Sequence, residues 1–71
     1  MSGKIWLPPL TRGTIRRLMA EREMSEFALA IKTDISPALL SDILNGEIKA
    51  TIEELEAIAK ALGTTAEKLR G

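Results

Sequence analysis

Residues 25–46 constrain the fold of this 71-residue chain more than any other stretch. They read Ser-Glu-Phe-Ala-Leu-Ala-Ile-Lys-Thr-Asp-Ile-Ser-Pro-Ala-Leu-Leu-Ser-Asp-Ile-Leu-Asn-Gly. Small or apolar side chains recur where two short helices would touch, with Ala30 at the crossing and Leu40 and Ile43 facing back inward. Asp34 and Ile35 form the turn between them. The pattern therefore predicts a helix-turn-helix, two short helices joined by a tight turn.

Capping residues mark the limits of both helices. Ser25 is a good N-cap for the first helix, because its hydroxyl can accept a hydrogen bond from a backbone N–H of the first turn. Ser36 caps the second helix, with Pro37 at the first helical position, where its missing N–H costs nothing. Asn45-Gly46 end that helix, with glycine as the left-handed residue. A helix-turn-helix places its second helix in a DNA major groove, so the helix beginning at Pro37 is the candidate for contacting DNA.

A helix is also predicted upstream of this pair, over about residues 13–23. Thr11 or Thr14 would cap it. Its buried side carries apolar residues at helical spacing and the stem of an arginine, at Ile15, Leu18, Met19 and Arg22. This segment is therefore expected to pack as helix one.

Two more helices are predicted downstream. Residues 51–54, Thr-Ile-Glu-Glu, form a capping box that opens helix four, and Gly63 stops this helix. A second capping box over residues 64–67 opens a short helix five, whose Leu69 closes the core. Residues 47–50 are predicted to be a loop. Five helices with short connections result.

The first ten residues are predicted to form an extended N-terminal arm. Two consecutive prolines disfavour a helix there, while Ile5, Trp6 and Leu7 are too apolar for a freely solvated tail. The predicted organisation is an arm over residues 1–10 and a helical domain over residues 11–71.

The composition limits the chemistry that is available. The chain contains no Cys and no His, so it has no thiol nucleophile and no Cys/His set for a metal. The serines lack a base to activate them, and no glycine loop could cradle a phosphate. The chain is predicted not to be an enzyme and to need no cofactor or metal. No apolar run approaches a membrane span and no signal peptide is present, so a cytoplasmic protein without a membrane partner is expected.

The formal net charge is zero, but the charges are unevenly distributed. Residues 1–24 carry five basic and two acidic side chains, for +3. Residues 25–49 carry two basic and four acidic side chains, for −2. The segment that contains the predicted helix-turn-helix is thus acidic. The amino-terminal part is basic, and positive charge is what DNA phosphates attract.

The spaced positions together resemble the Cro/phage-repressor (Xre-type, lambda-repressor-like) DNA-binding domain family. The resemblance covers about residues 12–70, and it rests on Ile15, Leu18, Met24, Ser25, Leu29, Ala30, Ile35, Ser36, Leu40, Ser41, Asp42, Ile43, Asn45, Gly46, the segment 55–63 and Leu69. It implies an all-α, five-helix lambda-repressor-like domain, preceded here by the N-terminal arm, in which helix three enters the major groove. It also implies frequent homodimerisation on two-fold DNA sites.

The resemblance implies DNA contacts at particular positions. Glu26 stands at the start of helix two, where the family often has a Gln that touches a phosphate, and Lys49 lies in a loop that often contacts the backbone. The exposed and groove-facing positions of helix three are Ser36, Pro37, Ala38, Leu39, Ser41 and Asp42. Asn45 is a further polar residue of that helix. Phosphates could be neutralised by Lys32 and by the basic end of the chain, formed by Lys4, Arg12, Arg16 and Arg17.

Several of these residues also have a purely structural interpretation. Ser36 and Pro37 could serve only as a cap, which we favour for Pro37, and Leu39 could serve only as half-buried packing. The arginines could form an ordinary solvated helix face on which Arg17 pairs with Glu21 at i, i+4. Asp34 stands where the family usually has Gly, and Asp tolerates a left-handed backbone better than most residues.

Phe27 and Ile31 lie four residues apart on a face of helix two that the family usually leaves polar. They are predicted to form an exposed apolar pair. One interpretation, which we favour, is internal cover by the arm residues around Trp6. The other is a surface for a protein partner. For Trp6 itself, packing within the arm and a dimer contact are both open interpretations.

Two functions are compatible with these residues. The first is a small DNA-binding transcriptional regulator of phage-repressor, antitoxin or controller type, acting as a homodimer on double-stranded DNA. The second is a protein-interaction module of the same fold, an antirepressor or co-regulator with little DNA binding of its own. The second is favoured by the acidic helix-turn-helix and by the scarcity of Arg, Lys and Gln, the usual base-reading side chains, on helix three.

Overall fold

The computed structural model describes residues 3–70, which form five helices and two short strands. Met1, Ser2 and Gly71, the outermost residues of the predicted arm and helical domain, lie outside the described residues. The elements in chain order are β1 (Lys4–Ile5), α1 (Pro9–Glu21), α2 (Glu26–Thr33), α3 (Pro37–Leu44), β2 (Ala50–Thr51), α4 (Ile52–Ala61) and α5 (Ala66–Arg70). The predicted five-helix fold with a helix-turn-helix is confirmed.

Helix α1 begins earlier than predicted. Pro9 occupies its first turn and Pro8, with an extended backbone, is the N-cap without a side-chain hydrogen bond. Neither predicted threonine caps the helix, because Thr14 Oγ1 donates to the Leu10 carbonyl at 3.0 Å and Thr11 is buried. The prediction that both prolines exclude helix was wrong for Pro9, since a proline at the start of a helix loses no hydrogen bond.

The arm is held by a strand pair that the sequence patterns did not predict. β1 runs antiparallel to β2, with Lys4 opposite Thr51 and Ile5 opposite Ala50. The Ile52 N–H donates to the Gly3 carbonyl at 3.2 Å and extends this β1–β2 ribbon. The segment predicted as a loop over residues 47–50 therefore ends in a strand.

The core is aliphatic and receives residues from the arm and from every helix. Its largest fully buried side chains, apart from Thr11, are Ile15, Leu29, Leu40, Ile43, Leu44, Leu55, Ile58, Leu62 and Leu69. Burial of each such side chain contributes about 1.5–3 kcal/mol relative to exposure. Three of them belong to α3, so this helix is fixed against the core by one side. Within the described part of the chain, no helix is long and apolar enough to cross a membrane.

The predicted caps of α2, α3 and α4 are confirmed. Ser25 Oγ accepts from the Ala28 N–H at 3.1 Å, and Ser36 Oγ accepts from the Leu39 N–H at 3.2 Å. Thr51 and Glu54 complete the capping box, with bonds of 2.8 and 3.0 Å. These bonds satisfy N–H groups that have no partner within their own helix.

The start of α5 differs from the prediction by one residue. Thr65, and not Thr64, is the cap, because Thr65 Oγ1 accepts from the Lys68 N–H at 3.2 Å. A capping box needs Glu or Gln three residues after the cap. Lys68 holds that position, so the second predicted box is wrong, although Leu69 closes the core as expected.

The turn between α2 and α3 depends on one left-handed residue. Asp34 has φ 59° and ψ 28°, the conformation that a glycine would adopt without strain. The Ile35 N–H donates to the Ala30 carbonyl at 3.2 Å across this turn. Asp34 therefore performs the task of the turn glycine and sets the angle at which α3 leaves α2.

Candidate nucleic-acid interface

Helix α3 is buried on one side and exposed on the other. Leu40, Ile43 and Leu44 are at most 1% exposed. The opposite side carries exposed or half-buried residues at helical spacing, which are Pro37, Ala38, Ser41, Asp42 and Asn45. We call this side the α3 face. Eight helical residues span about 12 Å, and an α-helix fits the width of a B-DNA major groove.

The side chains of the α3 face are mostly small, apolar or already hydrogen-bonded. Ser36 is engaged as the cap, and Asn45 Nδ2 donates to Ser41 Oγ at 3.4 Å. Asp42 is exposed near the middle of the face, together with the methyl group of Ala38. A carboxylate can accept a hydrogen bond from a cytosine amino group, and a methyl group can contact a thymine methyl. The face can therefore read bases through acceptors and apolar contacts.

The α3 face has a different neighbour on each flank. Pro37 and Leu39 lie on opposite sides of Ala38, each about 100° away around the helix axis. Pro37 shares a shallow groove with Phe27 of α2. Leu39 shares a groove with residues of the β1–β2 ribbon. The start of α2 and the ribbon thus bracket the face from two sides.

On the α2 flank, the predicted apolar pair is exposed. Phe27 retains 63% and Ile31 67% of its accessible surface. The favoured interpretation, that the arm folds over this pair, is wrong. The arm pairs with β2, and Trp6 lies in the groove beside Leu39, on the other flank of α3.

Arg16 links α1 to both helices of the motif. Its guanidinium contacts Glu26 Oε2 at 3.1 Å, Asn45 Oδ1 at 2.9 Å and the Leu44 carbonyl at 3.4 Å. A cation beside the last carbonyls of a helix also interacts favourably with the helix dipole. Arg16 and Glu26, both predicted to contact DNA, are therefore brought together as an ion pair at the carboxyl end of α3.

The other arginines of α1 are arranged differently. Arg12 Nε donates to the Leu7 carbonyl at 3.0 Å, and its guanidinium packs against Gly46. A side chain at Gly46 would meet that guanidinium at 2.9 Å, and Gly46 itself has φ +75°. Arg17 pairs with Glu21 at 3.5 Å on an exposed face, as the structural interpretation predicted.

The two predicted lysines lie on different sides of the molecule. Lys49 follows α3 and contacts the ribbon, with its Nζ 5.6 Å from the ring centroid of Trp6. Lys32 instead lines a groove with Ala57 and Lys60 of α4. Lys49 is therefore beside the α3 face, whereas Lys32 is on the far side of α2, and its predicted phosphate contact stays a prediction.

The sequence patterns did not predict the strand pairing that places Lys4, Trp6 and Lys49 beside one groove. Buried or half-buried Ile5 and Leu7 alternate with exposed Lys4 and Trp6, and half-buried Ile48 and buried Ala50 flank exposed Lys49. An alternation with a period of two is the signal of a half-buried strand. The signal was present, but each run is too short to stand out beside the helical pattern.

Comparison with known proteins agrees with this geometry. The family profile of the Cro/C1-type HTH DNA-binding domain matches residues 14–69. No curated protein and no solved structure matches the chain significantly. The matched segment contains α1 from Thr14 onward, the whole helix-turn-helix and α4, and leaves the arm and the first five residues of α1 outside. With most of the chain matched and α3 exposed as such a domain requires, the chain belongs to the Cro/C1-type helix-turn-helix family of DNA-binding domains.

Proposed function

We propose that this DNA-binding domain is a small transcriptional regulator, of phage-repressor, antitoxin or controller type, whose α3 enters the major groove. The observation that carries the proposal is the α3 face. It is exposed, while Leu40, Ile43 and Leu44 on the other side hold the helix rigidly against the core. A helix held in this way needs little ordering when it binds, which lowers the entropic cost of association.

Base reading would come from a few side chains of the α3 face and from Leu39 at its edge. Asp42 would accept from a cytosine amino group, and Ala38 and Leu39 would contact thymine methyl groups. Because the face has no Arg, Lys or Gln, sequence preference would also depend on the shape and flexibility of the duplex.

Phosphate contacts would come from the flanks of the α3 face. The amino-terminal end of α2 carries the positive end of the helix dipole, and Lys49 lies on the opposite flank. Arg12 and Arg16 at the carboxyl end of α3 add positive charge. The resemblance supports a homodimer, for which two half-sites about 34 Å apart are the geometric expectation.

The proposal is tested by selecting bound sequences from random duplex DNA and measuring affinity across salt concentrations. Ser41→Arg should change the selected sequence, because it adds a bidentate donor to the α3 face. Lys49→Ala should weaken binding to all sequences alike and reduce the slope of log affinity against log salt concentration by about one. Lys60→Ala, an exposed lysine of α4, is the matched control and should leave the slope unchanged. Failure to enrich any sequence at low salt would contradict the proposal.

A second candidate function is a protein-interaction module. The exposure of Phe27 and Ile31 favours it, because an adjacent apolar pair that its own arm leaves uncovered marks an interaction surface. Phe27→Asp should abolish capture of a protein partner while the melting temperature stays unchanged. If Phe27→Asp binds DNA as the unmodified protein does and captures the same proteins, an interaction module is excluded as the main function.

A further inference from the structure

Trp6 is one of the large side chains that the core leaves exposed. It retains 55% of its accessible surface, although burial of an aromatic ring is among the largest stabilising contributions a residue can make. Lys49 Nζ lies 5.6 Å from its ring centroid, within the range of a cation–π contact. Lys4 lines the same groove, which has a volume of about 450 Å³. Two cations and an exposed indole therefore share one surface.

The ribbon holds this surface in a fixed place. Backbone pairing of Lys4 with Thr51 fixes the residue two positions before Trp6. On the other side, Leu7 is buried and its carbonyl accepts from Arg12 Nε at 3.0 Å. Trp6 is thus anchored through the backbone on both sides, and its exposure is not that of a loose chain end.

The groove is continuous with the α3 face. Leu39 contributes to the groove. It lies about 100° around the α3 axis from Ala38, and Ala38 is in the middle of the α3 face. Glu47 and Glu54 also line the groove, but Glu54 Oε1 is occupied by the Thr51 N–H at 2.8 Å. Lys4, Lys49 and Glu47 are all exposed, so two cations and one exposed carboxylate face a partner that follows the edge of the α3 face.

We propose that Trp6, Lys4 and Lys49 form a second DNA contact, which grips the sugar–phosphate backbone at the edge of the groove entered by α3. This inference rests on the proposed function of α3. Duplex DNA carries one negative charge per about 1.7 Å of helix axis, so two adjacent lysines match a short run of phosphates. The indole offers an N–H donor to a phosphate and an apolar ring to deoxyribose. The arm thereby adds affinity from outside the segment that defines the family.

Trp6 itself reports on this contact. It is the only Trp in a chain without Tyr, so the emission excited at 295 nm comes from this side chain alone. The probe is a 24-base-pair duplex of mixed sequence at low salt, and binding is monitored in parallel by electrophoretic mobility shift. We expect the protein to retard the duplex, and binding to lower the acrylamide quenching constant of Trp6 at least twofold.

Charge variants provide the second measurement. Lys4→Ala should lower the salt slope of binding by about one, and the double variant with Lys49→Ala by about two. Lys60→Ala is again the control, and thermal melts establish that all variants fold. Since β1 pairs through its backbone, the Lys4 side chain can be removed without breaking the ribbon.

The outcomes separate this inference from the proposed function. A mobility shift in which Trp6 stays as accessible to acrylamide as in the free protein, with an unchanged slope for Lys4→Ala, overturns the ribbon contact and leaves the α3 proposal standing. No mobility shift at low salt overturns both. Protection of Trp6 by a poly-glutamate peptide, but not by the duplex, would assign the groove to an acidic protein partner and also overturns the inference.

Discussion

Replacing Arg16 by alanine tests how α3 is held in position for DNA. Arg16 extends from α1 to Glu26, at the first position of α2, and to Asn45, just after α3. The substitution removes these contacts at once and leaves the hydrophobic core untouched. Arg17→Ala is the matched control, because Arg17 lies on the same helix, carries the same charge and pairs with Glu21 of its own helix.

The expected loss follows from the three contacts of Arg16. Its ion pair with Glu26 is 45% and 38% exposed, so solvent screening limits it to about 0.5 kcal/mol. The 2.9 Å bond to Asn45 Oδ1 contributes about 0.5–1 kcal/mol at this exposure. The longer 3.4 Å bond to the Leu44 carbonyl, with the dipole of α3, adds about 0.3–0.5 kcal/mol. We therefore expect Arg16→Ala to lower the free energy of unfolding by about 1.5 kcal/mol, and Arg17→Ala to lower it by about 0.3 kcal/mol.

Thermal and urea unfolding followed by circular dichroism measure this difference. For a domain of this size, about 1.5 kcal/mol lowers the melting temperature by about 6–12 °C, and Arg17→Ala should lower it by about 1–2 °C. Equal melting temperatures for the two variants would refute the role of Arg16 as the link between α1 and the helix-turn-helix. A large loss that persists in 1 M salt would instead assign most of the effect to packing of its stem.

The remaining predictions concern single local features. Asp34→Gly should stabilise the protein by about 0.5 kcal/mol, because relief of the left-handed strain outweighs the added chain entropy; a lower melting temperature would show that the Asp34 side chain stabilises the turn. Thr51→Ala should cost about 1 kcal/mol in urea unfolding through loss of the capping box, whereas Thr51→Ser should restore most of it. Leu55→Ala should cost about 2–5 kcal/mol, which is enough to leave a domain of this size largely unfolded at 37 °C.

Features written in adjacent residues could be predicted from the sequence. The caps at Ser25, Ser36 and Thr51 each depend on a backbone N–H three residues away, so a short window contains both partners. The buried positions of α3 and α4 follow from helical periodicity in the same way. Pro9 shows the limit of such rules, since one residue type both begins and excludes helices, and the choice depends on what precedes it.

Contacts between distant residues could not be predicted in this way. The bond from Arg16 to Asn45 spans 29 residues, and the pairing of Lys4 with Thr51 joins the arm to the segment after α3. The same pairing explains why Phe27 is uncovered. Its position on an exposed face was predicted, but the arm does not cover it, because the arm pairs with β2 instead.

Of the candidate site, the α3 face could therefore be predicted, whereas the groove beside it could not. The α3 face follows from a local pattern and a family resemblance, since both concern residues 36–45. The ribbon groove needs Lys4 and Lys49 to meet, which depends on the tertiary fold. Lys32 and Lys49 look equivalent as isolated basic residues, yet the fold places them on different sides of the molecule.

Methylation protection tests the groove assignment of α3 most directly. Dimethyl sulfate methylates guanine N7 in the major groove and adenine N3 in the minor groove, so a single reaction on a duplex selected by the protein distinguishes the two. We predict protection of guanine N7 in two patches about 10 base pairs apart, one for each α3 of a dimer, with adenine N3 between them still reactive. Protection of adenine N3 alone, or unprotected guanines in a duplex that the protein fully shifts, would contradict the entry of α3 into the major groove.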